Sequence, residues 1–154
     1  METNYLSSPV KRHFGFLIKD YGFSIVHERY DPDMMGNAQV IFESTLIGID
    51  IALDRSQVLI AIGSLAKPRR EWFEFSDVLH YFAPDLTAYI FPNVPTDFPN
   101  HEASVDAQVS RLAKLMSQYC APILNGDLSI ANKVKEIENK RVSEMLEGFQ
   151  RRKP

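Results

Sequence analysis

Four histidines, one cysteine and a scatter of carboxylates are the groups in this 154-residue chain that could carry chemistry. His13, His27, His80 and His101 fall on different segments, and no two stand four apart, so no helical turn offers a pair of them to one metal ion. His101-Glu102 begins like a His-Glu-x-x-His zinc site, but Val105 stands where the second histidine belongs. Cys120 lies in an apolar helical stretch ahead of Pro122. That is the setting of a buried structural thiol; an activated nucleophile needs a cationic, partly open one. A single cysteine also excludes an internal disulfide framework and a multi-cysteine metal site. Asp31 and Asp33 flank Pro32 ahead of Gly36, but the other oxygen ligands of a calcium loop are missing and the residues suit a turn. Glu71, Glu74 and Asp77 read as the wet side of a strand end and a helix start, where carboxylates complement the helix dipole. No glycine-rich phosphate loop, dinucleotide fingerprint or Gly-x-Ser-x-Gly elbow occurs. No cofactor, no metal and no catalytic residue set are expected.

Binding chemistry has more to work with. Lys67, Arg69 and Arg70 beside Trp72 and Phe73 combine charge with stacking surface, as RNA-binding segments do. Three charges are a small footprint, and a charged loop beside core aromatics accounts for them, so nucleic acid is not an expected partner. The net charge is −3, unevenly spread. Residues 1–100 hold 8 basic and 13 acidic residues, a net −5, and residues 101–154 hold 9 and 7, a net +2. No run approaches a membrane span. The first six residues lack a basic stretch followed by an apolar one, so a cytoplasmic, single-domain chain is expected over 1–154.

The elements that must position these groups follow from periodicity. Ser8 and Pro9 open a helix carrying Val10, Phe14, Leu17, Ile18 and Tyr21, with Gly22 as its left-handed stop. Phe23–Tyr30 reads as a strand, then 31–37 as a loop. Ala38, Val40 and Phe42, then Ile47, Ile49, Ile51 and Leu53, then Val58, Ile60 and Ile62, alternate with small or polar residues. That is the period of strands with one buried face. A turn centred between Arg55 and Ser56 sets Leu53 against Val58, Ile51 against Ile60 and Ile49 against Ile62. Because Arg55-Ser56 lacks Asn-Gly chemistry, a four-residue loop, Asp54–Gln57, is expected. A turn centred between Ser44 and Thr45 sets Phe42 against Ile47 and Val40 against Ile49. On the other face this register puts Asp50 between Gln39 and Ala61, ringed by Ile41, Gly48, Ala52 and Leu59.

Lys67–Arg70 reads as a basic loop, Glu71–Phe75 as a short last strand, and Ser76 as the cap of a helix with Val78, Leu79 and Phe82. A long Pro- and Phe-rich connection spans 83–100. Asn100 then caps a helix carrying Val105, Val109, Leu112, Met116 and Tyr119. Asp127 caps a last helix over 127–150. Its apolar stripe runs through Ile130, Val134 and Ile137, jumps five residues to Val142, and resumes at Met145, Leu146 and Phe149. The jump predicts a bend or two halves with different neighbours. The fold class is therefore α+β: a four- to five-stranded antiparallel meander, helices on one face, in the order α-β-β-β-β-(β)-α-α-α.

Tyr21-Gly22-Phe23, Val40-Ile41-Phe42-Glu43-Ser44, Asp54-Arg55-Ser56-Gln57-Val58 and Phe75-Ser76-Asp77-Val78-Leu79 resemble landmarks of small uncharacterised bacterial proteins. Some of these are similar to immunity proteins of bacterial toxin systems. The resemblance covers residues 10–82 and implies a bacterial origin with no assigned catalysis. The leading expectation is a non-enzymatic interaction protein, immunity- or adaptor-like. Its partner surface would comprise Gln39, Ile41, Asp50, Leu59, Arg69 and Arg70. The alternative is a small-ligand protein or an enzyme with a pocket near the 83–100 connection, using His80, Tyr81, Tyr89 and Phe91. Self-association through the C-terminal helix is a third expectation.

Overall fold

The computed structural model describes residues 4–34, 36–86 and 100–151. The chain begins with α1 (Ser7–His13) and α2 (Gly15–Tyr21). The single expected helix is broken at Phe14, whose buried ring enters the core between the two short segments. Asn4, rather than Ser8, serves the start: its Oδ1 accepts from the Leu6 and Ser7 N–H groups at 3.0 and 3.3 Å. The break also turns Ile18 outward, against its expected place on the buried stripe. Gly22 does close α2 in the left-handed conformation, with φ of 73°.

Five strands follow: β1 (Ser24–Asp31), β2 (Asn37–Glu43), β3 (Ile47–Asp54), β4 (Gln57–Ser64) and β5 (Phe73–Glu74). They form one antiparallel sheet in the order of the sequence. The alternating aliphatics of β2, β3 and β4 all lie on its buried face. The β3–β4 register is the expected one, Leu53 against Val58 and Ile51 against Ile60. The loop is tighter than expected: Asp54 pairs with Gln57, so Arg55 and Ser56 alone make the turn. Arg55 adopts φ of 61°, and its N–H donates to Asn37 Oδ1 at 2.7 Å, a tertiary bond that replaces Asn-Gly chemistry.

The β2–β3 register differs from expectation by two residues: Phe42 pairs with Ile49 and Val40 with Ile51. The turn is centred one residue later because Ser44 closes it. Ser44 N–H donates to the Ile47 carbonyl at 2.9 Å and Ser44 Oγ accepts from Ile47 N–H at 3.1 Å. A two-residue change keeps parity, so the buried face is unaltered. On the edge strand β1, a register shift between Ile25 and His27 leaves Val26 exposed.

After the sheet come α3 (Phe75–Phe82), α4 (His101–Tyr119), α5 (Ala121–Leu124) and α6 (Ala131–Arg151). Glu74, not Ser76, is the N-cap residue of α3. Asn100 caps α4 as expected, accepting from Ala103 N–H at 2.8 Å. Asp127 ends up ahead of the last helix: its carboxylate accepts from Ser129 N–H in a local turn, and α6 starts four residues later. The core joins α1, α3 and α4 to the aliphatic sheet face through Val10, Phe14, Phe42, Val78, Val109 and Met116. Buried Gln108 ties α4 to the sheet edge: its Oε1 accepts from Val58 N–H at 3.0 Å and its Nε2 donates to the Ser56 carbonyl at 2.9 Å. Gln108 thus satisfies the N–H of a buried strand residue and a carbonyl of the adjoining turn.

Candidate functional site

The outer face of the sheet is made from Gly48, Asp50 and Ala52 on β3 and Leu59, Ala61 and Gly63 on β4, with Gln39 and Ile41 alongside on β2. Small residues here serve a purpose the pattern did not reveal. The chain between β4 and β5 folds back over the face and lays the Trp72 ring on Gly48 and Gly63. A Cβ on Gly48 would stand 2.1 Å from the ring, and one on Gly63 2.6 Å from it. The indole N–H donates to the Ser64 carbonyl at 3.0 Å, fixing the ring in place. The same segment, a 3-10 turn over Arg69–Glu71, brings the Arg69 guanidinium 5.2 Å above the indole.

Asp50 lies beneath this cover and is only 4% exposed. Arg69 Nε donates to its Oδ2 at 2.7 Å, and Gln39 Nε2 lies 3.0 and 2.9 Å from its two oxygens. Gln39 reaches it diagonally, because the Cα partner of Asp50 on β2 is Ile41 and that of Gln39 is Ala52. The expected Gln39–Asp50 proximity therefore holds while the expected backbone pairing does not. Burial of a lone carboxylate is costly, and two charge-assisted donors offset it. The sequence could have shown this only as a coincidence of charges at 50 and 69.

A second buried carboxylate faces the same region. Asp77, in the first turn of α3, is 2% exposed. It accepts from Arg141 Nε at 2.9 Å and Nη2 at 3.0 Å, a bidentate clamp, with Glu74 at 3.5 Å. The Asp77 carboxylate raises the Arg141 pKa above its ordinary value. This clamp fastens α6 beside α3 and β5, not across the aliphatic sheet face.

Between the two arginine–aspartate pairs runs an open groove of about 630 Å³. Ala52, Leu59 and Ala61 line its sheet side, Trp72 and Arg70 one wall, and Glu138 and Arg141 of α6 the other. Leu59 is partly exposed, and Arg70 projects into solvent. Of the expected partner residues, Asp50, Leu59, Arg69 and Arg70 thus border one groove; Gln39 supports it from below, and Ile41 lies a strand away.

Past Arg141 the helix changes character. Val134 is its one buried residue, whereas Met145, Leu146 and Phe149 are 50%, 54% and 63% exposed. The five-residue jump in the stripe therefore marks two halves, one docked and one bare.

The expected pocket residues are not gathered here. His80 and Tyr81 lie on the exposed side of α3, and Tyr89 and Phe91 fall outside the described residues. Cys120 is fully buried, and burial pushes its thiol up to about 12, so it stays protonated at neutral pH. His13 and Arg12 converge on Asp106, with His13 Nε2 at 3.1 Å. Among the described residues no three His, Cys, Asp or Glu side chains gather as a metal site, and no helix is long and apolar enough to cross a membrane.

What these elements define is an α+β chain in which a five-stranded meander is backed by helices and flanked by a projecting one. In comparisons with known proteins, no family model, curated protein or solved structure matches the chain.

Proposed function

We propose that the chain is a non-enzymatic protein-interaction module of bacterial type, immunity- or adaptor-like, that binds a protein partner along the flank formed by the groove and α6. One observation carries this reading: the bare apolar stripe of Met145, Leu146 and Phe149 on a helix whose other half is docked. Three large apolar side chains half or more exposed within five residues form a contiguous patch, the kind of surface that marks an interaction site. Charge supports it as well. The net −5 of residues 1–100 would steer a basic partner toward the molecule more than it would add affinity.

The test is differential capture at low salt, using the intact chain and its Leu146→Glu variant as baits in a lysate of the native cells. A protein held by the first and lost by the second is the expected result. Retention that ignores position 146, or no retained protein at all, would sink the reading.

A further inference from the structure

The groove beside β4 carries one charge without a counter-ion. Its charged lining is Asp50, Arg69, Arg70, Glu74, Glu138 and Arg141. Arg69 meets Asp50 at 2.7 Å, Arg141 meets Glu74 at 3.5 Å, and Lys135 meets Glu138 at 3.1 Å. Arg70 is exposed and makes no hydrogen bond or ion pair among the described residues. Arg69 is committed only in part: Asp50 takes its Nε, and no bond among the described residues takes its Nη groups.

This accounting selects the charge of a ligand. Every acid of the lining already faces a base, so a cation finds no free partner. A single anion does, and a guanidinium fork matches the geometry of a carboxylate. A second negative charge is disfavoured, because Glu74 and Glu138 line the same groove. That sets aside phosphate monoesters, which approach two charges at neutral pH, and nucleic-acid strands.

The floor selects the shape. Gln57, Leu59 and Ala61 follow one another along the outer face of β4. At about 3.3 Å per residue they span roughly 13 Å. Asp50 pairs with Ala61, so Arg69 and the adjoining Arg70 belong to that end, whereas Gln57 lies at the Arg55 turn. Between the two ends Leu59 is 40% exposed. The groove is thus cationic at one end and apolar along its length.

We propose that the groove binds a small, elongated, apolar monocarboxylate, its head on the guanidiniums of Arg70 and Arg69 and its body along Leu59 toward Gln57. Ligand sites are commonly of this kind, apolar concavities with a few orienting polar groups. The site goes beyond the protein-interaction reading and does not rest on it, since Met145, Leu146 and Phe149 take no part in the groove.

Octanoate is the probe and octanamide its uncharged control. Calorimetry of the full chain should give a Kd for octanoate of about 0.1–1 mM, the scale for a small ligand on an open groove. Emission from Trp72, the one tryptophan of the chain, should shift to the blue and saturate with the same Kd. Octanamide should bind about tenfold more weakly or worse, and so should octanoate to the Arg70→Gln variant. That variant should melt with the parent, because Arg70 holds no partner among the described residues. Octanoate that changes neither heat nor emission up to about 10 mM overturns the site. Equal binding of octanoate and octanamide overturns the carboxylate assignment, as does an Arg70→Gln chain that binds like the parent. Octyl phosphate held more tightly than octanoate overturns the limit to one charge. None of these outcomes bears on capture through Leu146, so the two readings fail separately.

Discussion

Trp72 lies flat on the sheet because positions 48 and 63 have no Cβ. Substituting Gly48→Ala inserts a methyl group where ring atoms already stand, and the indole cannot yield without losing its bond to the Ser64 carbonyl. The expected cost is about 2 kcal/mol, the usual scale for overpacking a tight contact, read from urea denaturation. As the chain has one tryptophan, its emission should shift to the red in the folded variant. A variant with unchanged stability and emission would show that the ring does not rest on Gly48. The same ring gives Arg69 a platform, and Arg69 in turn keeps Asp50 paired. Small residues around a central carboxylate were visible in the strand pattern. The tryptophan that requires them was not, since its contact is made by a loop and has no period.

The first helix is held by ion pairs at both of its flanks. Glu28 on β1 accepts from Ser7 Oγ at 2.8 Å and meets Lys11 at 3.3 Å. Asp106 on α4 takes Arg12 and His13. The Ser7 hydroxyl, more than the opposing burial and the Lys11 ammonium, sets Glu28 below its ordinary 4.5. Burial works to raise Asp106, yet the hydrogen bonds from Arg12 and His13 hold it below its ordinary 3.8. For a carboxylate depressed in the folded state, the stabilisation is present above the unfolded value and is lost as pH falls through the folded one. The docking of α1 should therefore be intact at neutral pH and weaken below about pH 4. Hydrogen exchange of residues 10–13 should accelerate in acid before that of β3. Exchange that rises uniformly across the chain would contradict it. Both pairs are exposed and would be screened by salt.

The attachment of α6 decides the shape of the whole molecule. Its docked half is held by Val134 and by the Arg141–Asp77 clamp. Arg141→Ala would leave Asp77 buried without a partner, a change that costs about 3 kcal/mol for such pairs. The melting temperature should fall, and exchange protection in residues 134–141 should be lost together with that of α3. Restoring neutrality with Asp77→Asn in the same chain should recover part of the loss. An Arg141→Ala chain as stable as the parent would show that packing of Val134 alone holds the helix. Substitutions at Met145, Leu146 or Phe149 fall outside this accounting, because those side chains make no core contact. Core stability and the proposed interaction surface are thus separable along one helix.

Alternation alone located the meander, its buried face and the β3–β4 register, because a strand with one wet side leaves a period of two in the chain. The five-residue jump likewise predicted a bend or two halves in the last helix, and burial along it distinguishes a docked half from an exposed one. Loop closure escaped such reading: Asn37 makes the Arg55 turn possible from eighteen positions away, and Ser44 moves the β2–β3 register by two. The groove escaped it as well. Asp50 meets Arg69, and Asp77 meets Arg141 across 64 residues, and no local pattern encodes either meeting. Periodicity records which side of an element is dry. Which distant charge or ring arrives on the other side depends on how the elements pack, and in this molecule that packing built the groove and left the end of α6 bare.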